Sequence, residues 1–284
     1  MKSGRIKRIT FGLSAVAVGV MIIASQNPAP QPTAEQLPVQ KNAPEKQAQA
    51  VAKVSQPTTA TEPSAARLPD FAAITDVAEK KTAFFNYLRP KVEQQNALIA
   101  DDRAFVEALA QKIAAASPLS EADSERVTAL AARYRLDLRQ LDSSALAMLL
   151  ARVDTLPIEM VLVQAANESA WGTSRFAKMG NNLFGQWCFS KGCGLVPNSR
   201  TAGLQHEVAK FDSIDASVRS YLLNINTNAA YQQLRDVRAQ LRAAQQPVTA
   251  DKLIPTLLAY SERKEAYVEE LLAMLRHNQR WLKS

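Results

Sequence analysis

No Asp or Glu lies between Glu168 and Glu207. Any chemistry in this stretch that needs carboxylates must therefore draw on these two. Glu168 ends an apolar run, 157–166, and is followed at once by Trp171 and Gly172. Helical spacing from Ile158 makes Val161, Leu162, Ala165 and Ala166 a buried stripe. Glu168, three residues after Ala165 and four after Gln164, falls on the border of that stripe near the helix end. Partial desolvation and the negative end of the helix dipole both disfavour a carboxylate there, so its pKa should rise. A glutamate protonated near neutral pH can protonate a leaving oxygen as a general acid. The competing reading is an ordinary helix stop with a solvated Glu.

Other chemistries find little material. The two histidines, His206 and His277, lie in separate regions without ligand-spaced partners, so no metal site is expected. Neither sits in a nucleophile-elbow context, and no phosphate-binding glycine motif occurs, so no cofactor is expected. Cys188 and Cys193 flank a Ser-Lys-Gly turn in "WCFSKGCGLV". In an exported domain this spacing predicts a disulfide closing a tight loop, and it is wrong for a redox C-x-x-C.

Mostly helical elements must hold these groups. From Asp70 the texture is Ala-, Leu- and Arg-rich, with apolar residues at helical spacing such as Leu98, Phe105, Leu109 and Ile113. Pro90 should end or kink the first helix. Ser120 with Asp123 three residues on resembles a capping box. Pro157 opens the helix that carries Glu168, Gly172 is its expected C′ residue, and Trp171 anchors it to the core. Residues 180–204 are rich in Gly, Asn and Ser, and "LQHEVAKF" alternates, placing Glu207, Ala209 and Phe211 on one face of a strand. A small β-hairpin lobe among helices is expected.

The stretch "AANESAWGTSRFAKMGNNLFG" resembles the E-S-G-W-G-x-S … N-N-L-F-G signature of the glucosaminidases of glycoside hydrolase family 73, which cleave peptidoglycan on a lysozyme-like α+β fold. Weaker similarity runs from about 150 to 277, through "FDSIDASVRSY", "NTNAAY" and "YSERKEAYVEEL". The exported part also resembles the Bax-like proteins of Gram-negative bacteria. The resemblance implies that Glu168 is the catalytic acid. Ala170 stands where Gly is usual, a small-for-small change expected to be tolerated. Glu207 falls where these enzymes carry a second glutamate, with a surface salt bridge as the competing role. "YSERKEAY" is similar to their Y-A-T-D-P-x-Y segment, whose first tyrosine lines the cleft and maps to Tyr260. Tyr267 is one residue out of the usual spacing. Packing in the core or cleft wall is the alternative for both tyrosines. Phe184, Trp187 and Tyr267 are candidates for stacking on sugar rings.

At the scale of the chain, the net charge of +7 divides into +5 from residues 1–69 and +2 from the remainder. No basic stripe with interleaved aromatics occurs, so nucleic acid is not an expected partner. Lys2, Arg5, Lys7 and Arg8 precede an apolar run, 9–24, which reads as a signal peptide or a membrane anchor with the rest of the chain exported. Residues 26–69 hold 8 of the 14 prolines and read as a disordered linker. Residues 70–152 read either as a helical subdomain or as part of one core, and 153–284 as the catalytic domain. The expected fold class is α+β, predominantly helical and lysozyme-like. The expected function is hydrolysis of the β-1,4 bond after N-acetylglucosamine in peptidoglycan glycan strands, in the periplasm, tethered to the inner membrane or released. A lytic transglycosylase and a non-catalytic peptidoglycan-binding module are the alternatives. Protein partners have no signal in the sequence.

Overall fold

The computed structural model describes residues 68–198 and 206–283. The N-terminal apolar segment and all but the last two residues of the linker lie outside the described residues. Among the described residues no helix is long and apolar enough to cross a membrane.

A 38-residue helix, α1 (Val77–Ala114), contributes to both apolar clusters of the described fold. The Asp76 carboxylate starts it by accepting from the Glu79 N–H at 2.8 Å. Pro90 sits inside α1 and does not end it. The ring removes one intrahelical hydrogen bond at a cost of about 3 kcal/mol. Buried Phe84, Phe85, Leu88 and Val92 on either side hold the helix together across it. Leu98, expected on the apolar stripe, is exposed instead. The inward residues of the second half are Val106 and Leu109.

Those two residues form a small apolar cluster with α2 (Glu121–Arg133) and α3 (Ser143–Arg152), through Val127, Leu130, Tyr134, Leu146, Leu149 and Val153. The Ser120–Asp123 capping box is present, with both reciprocal bonds at 3.1 Å. The first half of α1 belongs to the larger cluster, which is centred on α4 (Ile158–Glu168). Every residue of α4 from Met160 to Ala166 is buried, so the helix is wrapped on all sides rather than lying along a surface.

Against α4 pack α1, the short α8 (Ala250–Leu253) and α9 (Glu265–His277), with the 3-10 segment Ile254–Ala259 packed on α8 and α9, and α6 (Ile214–Thr227) reaches α4 through the Tyr221 hydroxyl. The α7 helix (Gln232–Ala243) closes one side, and α10 (Gln279–Leu282) returns to α1, where Arg89 donates to the Leu282 carbonyl at 2.7 Å. The β lobe is a three-stranded antiparallel sheet in the order β1 (Trp187–Cys188), β3 (Glu207–Ala209), β2 (Gly194–Leu195). It packs beside the short α5 (Arg175–Gly180). The chain is therefore a predominantly helical α+β fold with a small β lobe.

One buried carboxylate fastens the two clusters together. Asp154, 2% exposed, follows α3 and receives Arg103 of α1 at 3.3 Å. It also receives Arg238 and Arg242 of α7 at 3.4 and 2.8 Å. The same guanidinium groups donate to the carbonyls of Leu150, Ala151, Val153 and Thr155. Cations thus satisfy the carbonyls at the negative end of α3.

Candidate active site

Glu168 is the last residue of α4, and only 7% of it is exposed. The turn that follows is tightly wound. Ser169 caps the helix, its hydroxyl donating to Ala165 O at 2.6 Å and accepting from the Gly172 N–H at 2.8 Å. Ala170, Trp171 and Gly172 all adopt left-handed φ, at 49°, 58° and 75°. Gly172 is thus the third of three such residues rather than the single C′ glycine expected. A side chain there would meet the Phe71 ring at 2.6 Å. Trp171 packs edge-on against Phe84 and Phe85, as the core anchor anticipated.

A box of tyrosines surrounds the acid: Tyr221 from α6, Tyr231 from the turn before α7, Tyr260 after the 3-10 segment, and Tyr267 from α9. Burial raises the pKa of all four and the charge of Glu168 adds to the rise, which keeps their hydroxyls protonated. Burial in turn pushes the Glu168 carboxyl up from 4.5 to about 7. The Tyr267 hydroxyl pulls against that rise, the Glu270 charge adds to it, and the Arg263 charge opposes it. Oxygen Oε1 of Glu168 is buried without a hydrogen-bond partner. Beside Oε2 lies Gly185, where a Cβ would stand 3.4 Å away.

Gly185 belongs to a loop, 182–186, shaped by the buried side chain of Asn182. Its amide nitrogen donates to the carbonyls of Gln186 and Ala209, both at 2.9 Å, and its oxygen accepts from the N–H of Phe184 and Gln186. The Tyr260 hydroxyl fastens the same loop by donating to Phe184 O at 2.9 Å. Tyr260 is thus at the acid, but its proton is engaged with backbone.

The sugar-stacking candidates fare differently. Phe184 is fully buried and stacked on Tyr221, with ring centroids 4.1 Å apart. Tyr267 is fully buried and stacked on Tyr260 at 5.5 Å. Neither has an exposed face for a sugar in this structure, because both rings are consumed in walling off the carboxylate. Trp187 is half-buried and packs edge-on against His206.

Glu207 is not an open carboxylate. It is 5% exposed, and its two oxygens accept from the N–H groups of Gly192 and Gly194 at 2.9 and 2.8 Å. These amides flank Cys193, which is disulfide-bonded to Cys188. The carboxylate therefore ties the disulfide loop to β3. Among the described residues, Cys188, Cys193 and Glu207 form the one cluster with metal-ligand atoms within 4.8 Å of one another. Its sulfurs are already joined to each other, so it offers no thiolate.

Comparisons with known proteins place the chain in a family. Residues 144–280 match the glucosaminidase family, described as mannosyl-glycoprotein endo-beta-N-acetylglucosaminidase. The chain is also 36% identical over 217 residues to Protein bax of Escherichia coli (strain K12), a span covering 75% of each chain. The chain belongs to the family of Bax-like proteins with a glucosaminidase domain. No solved structure matches it. Within this glucosaminidase domain the sequence pointed to Glu168, Tyr260 and Tyr267, and the fold brings the three together. It left Gln164, Tyr221 and Tyr231 without a role. A signal for Gln164 was present: a polar amide inside an apolar run, one helical turn before the acid.

Proposed function

We propose that the chain is a peptidoglycan hydrolase, an endo-β-N-acetylglucosaminidase that cleaves the β-1,4 bond after N-acetylglucosamine, with Glu168 as general acid. The observation that carries this reading is the state of Glu168. Its carboxyl is held near pKa 7 by burial, one oxygen has no protein partner, and glycine leaves space beside the other. A protonated carboxyl with an unmet hydrogen bond suits a leaving glycosidic oxygen.

Glu207 is occupied by the disulfide loop, which favours a route that needs no second free carboxylate. In that route the substrate's own acetamido group attacks the anomeric carbon as Glu168 delivers its proton to the departing oxygen. Water then opens the cyclic intermediate and returns a proton to Glu168. Tyr260 assists by holding the loop that faces the acid. The same occupied Glu207 keeps a lytic transglycosylase as second reading, since that reaction also manages with one carboxyl.

The cations and apolar run at the N-terminus and the Cys188–Cys193 disulfide support export to the periplasm, with the chain tethered to the inner membrane or released. In this proposal residues 70–152 brace the catalytic part. Mass spectrometry of the products from purified sacculi tests the function. Reducing N-acetylglucosamine ends are expected, and they should disappear in Glu168→Gln. Anhydro-muramic ends would establish the transglycosylase, and no product at all would leave a binding module.

A further inference from the structure

The turn between β1 and β2, residues 189–193, is tied down at three points yet shows its side chains to solvent. β1 ends opposite Glu207 and β2 begins opposite Ala209, so the turn must arch from one end of β3 to the other. The Cys188–Cys193 disulfide closes the base of the arch. The Glu207 carboxylate accepts from the N–H groups of Gly192 and Gly194. Within the arch the Cys193 N–H donates to the Ser190 carbonyl at 3.1 Å. What these ties display is not core: Phe189 is 55% exposed, and Lys191 is exposed two residues on. Holding an aromatic ring rigid in water gains the fold little, but it lowers the ordering cost for a ligand that covers the ring.

The charge around the arch has one sign. Residues 169–206 hold four Lys or Arg and no Asp or Glu. Glu207 is buried under the arch, and the next carboxylate, Asp212, comes after β3 has ended. Arg175 of α5 is fixed beside the end of β2 by donating to the Val196 carbonyl at 2.6 Å. Lys210 leaves β3 next to the arch, its N–H donating to the Cys193 carbonyl at 3.3 Å. Lys178 pairs with Asp70 at 3.8 Å, whereas Arg175, Lys191 and Lys210 form no ion pair among the described residues. A fixed ring beside unpaired cations suits a ligand with an apolar face and carboxylates. Peptidoglycan strands offer both, in the C–H faces of the sugar rings and in the short carboxylate-bearing peptides on the muramic units. Phe189 follows Gly185, the residue beside Glu168, by four positions, so it lies at most about 14 Å from it. We propose that the 189–193 arch binds the acidic peptide stems of the glycan strand, with Phe189 against the strand, Lys191 on a stem carboxylate, and Arg175 and Lys210 supplying the positive field around them.

The proposal rests on peptidoglycan strands being the substrate, and binding rather than turnover tests it. The full chain carrying Glu168→Gln is titrated with soluble strands released from sacculi by an endopeptidase, and with the same strands after their carboxylates are converted to methylamides. The amines of both are acetylated, so only the carboxylates differ. At low salt the native strands are expected to bind about ten-fold tighter, and high salt should close the gap. Lys191→Gln should cut that preference about three-fold, and Lys191→Gln/Lys210→Gln further, with affinity for the methylamide strands unchanged. Phe189→Ala should weaken both strand forms alike, because the ring meets the strand and not the charge. These side chains are exposed, so the variants are expected to keep the parent's circular dichroism. Equal affinity for the two strand forms overturns the proposal, and so does an undiminished preference in the double Lys variant. Lysine variants that lose binding to phosphatidylglycerol vesicles but keep their strand preference would assign the surface to a membrane and overturn it too. A parent protein that releases no product from sacculi would sink the hydrolase reading and leave the binding difference standing, so the two fail separately.

Discussion

Glu168 ends a helix whose other residues are almost all apolar and enclosed, and this makes the proton's departure costly. The rise from 4.5 to about 7 corresponds to about 3 kcal/mol of preference for the neutral form. Because the general acid must start protonated, kcat/KM on sacculi is expected to fall as pH climbs through about 7, with that limb absent in Glu168→Gln. The same rise has a consequence for stability. A group whose folded pKa is raised makes its full contribution below the unfolded value, near 4.5, and loses it as pH approaches the folded value. Urea denaturation should therefore find Glu168→Gln more stable than the parent at pH 8, by up to about 3 kcal/mol, with the difference vanishing near pH 4. Activity should drop at least ~100-fold in the same variant. The position of Glu168 was legible in the run of residues before it, since helical spacing and a helix stop are local properties. Tyr260 and Tyr267 were reached only through the family resemblance and Tyr221 and Tyr231 not at all, because the four arrive from 53 to 99 residues further along the chain and nothing local says they converge.

Between the acid and the β lobe, two short elements show how far local pattern reaches. The turn 169–172 was expected to contain one left-handed residue and contains three. An alanine with φ of 49° is strained by roughly 1–2 kcal/mol. Ala170→Gly is accordingly expected to raise stability by about 1 kcal/mol in thermal or urea denaturation while leaving the acid in place. In the β lobe, composition announced a hairpin and alternation put Glu207 on one face of its strand. What covers that face is a long-range matter, and here it is the backbone of the disulfide loop. Glu207→Gln keeps one acceptor but sets an NH2 group against a backbone N–H. The loop should loosen, seen as faster amide exchange at Gly192 and Gly194, and turnover should fall far less than in Glu168→Gln. Equal and complete loss of turnover in both variants would make Glu207 an obligatory partner in the chemistry.

Across the whole molecule, α1 and Asp154 bind two apolar clusters that the sequence presents as consecutive. Pro90 looked like a helix end because a proline ring is a local obstacle, whereas the packing that overrides it comes from four buried side chains meeting distant partners. Arg238 of α7 is 1% exposed, and its partner Asp154 lies 84 residues earlier, a pairing that no local pattern announces. Asp154→Ala leaves Arg238 buried without its counter-charge and is expected to cost about 3–5 kcal/mol, measured as a lowered urea midpoint. The glucosaminidase match begins at residue 144, yet the core around α4 takes Phe84, Phe85, Leu88 and Val92 from α1, and the turn after the acid leans on Phe71. The stretch recognisable across the family is therefore smaller than the stretch that can fold. The similarity to Protein bax, which runs over 217 residues, exceeds the family span. A transplant of the catalytic stretch into another protein would have to carry the long helix with it, and any lineage that borrowed the stretch alone had to supply a substitute for that helix.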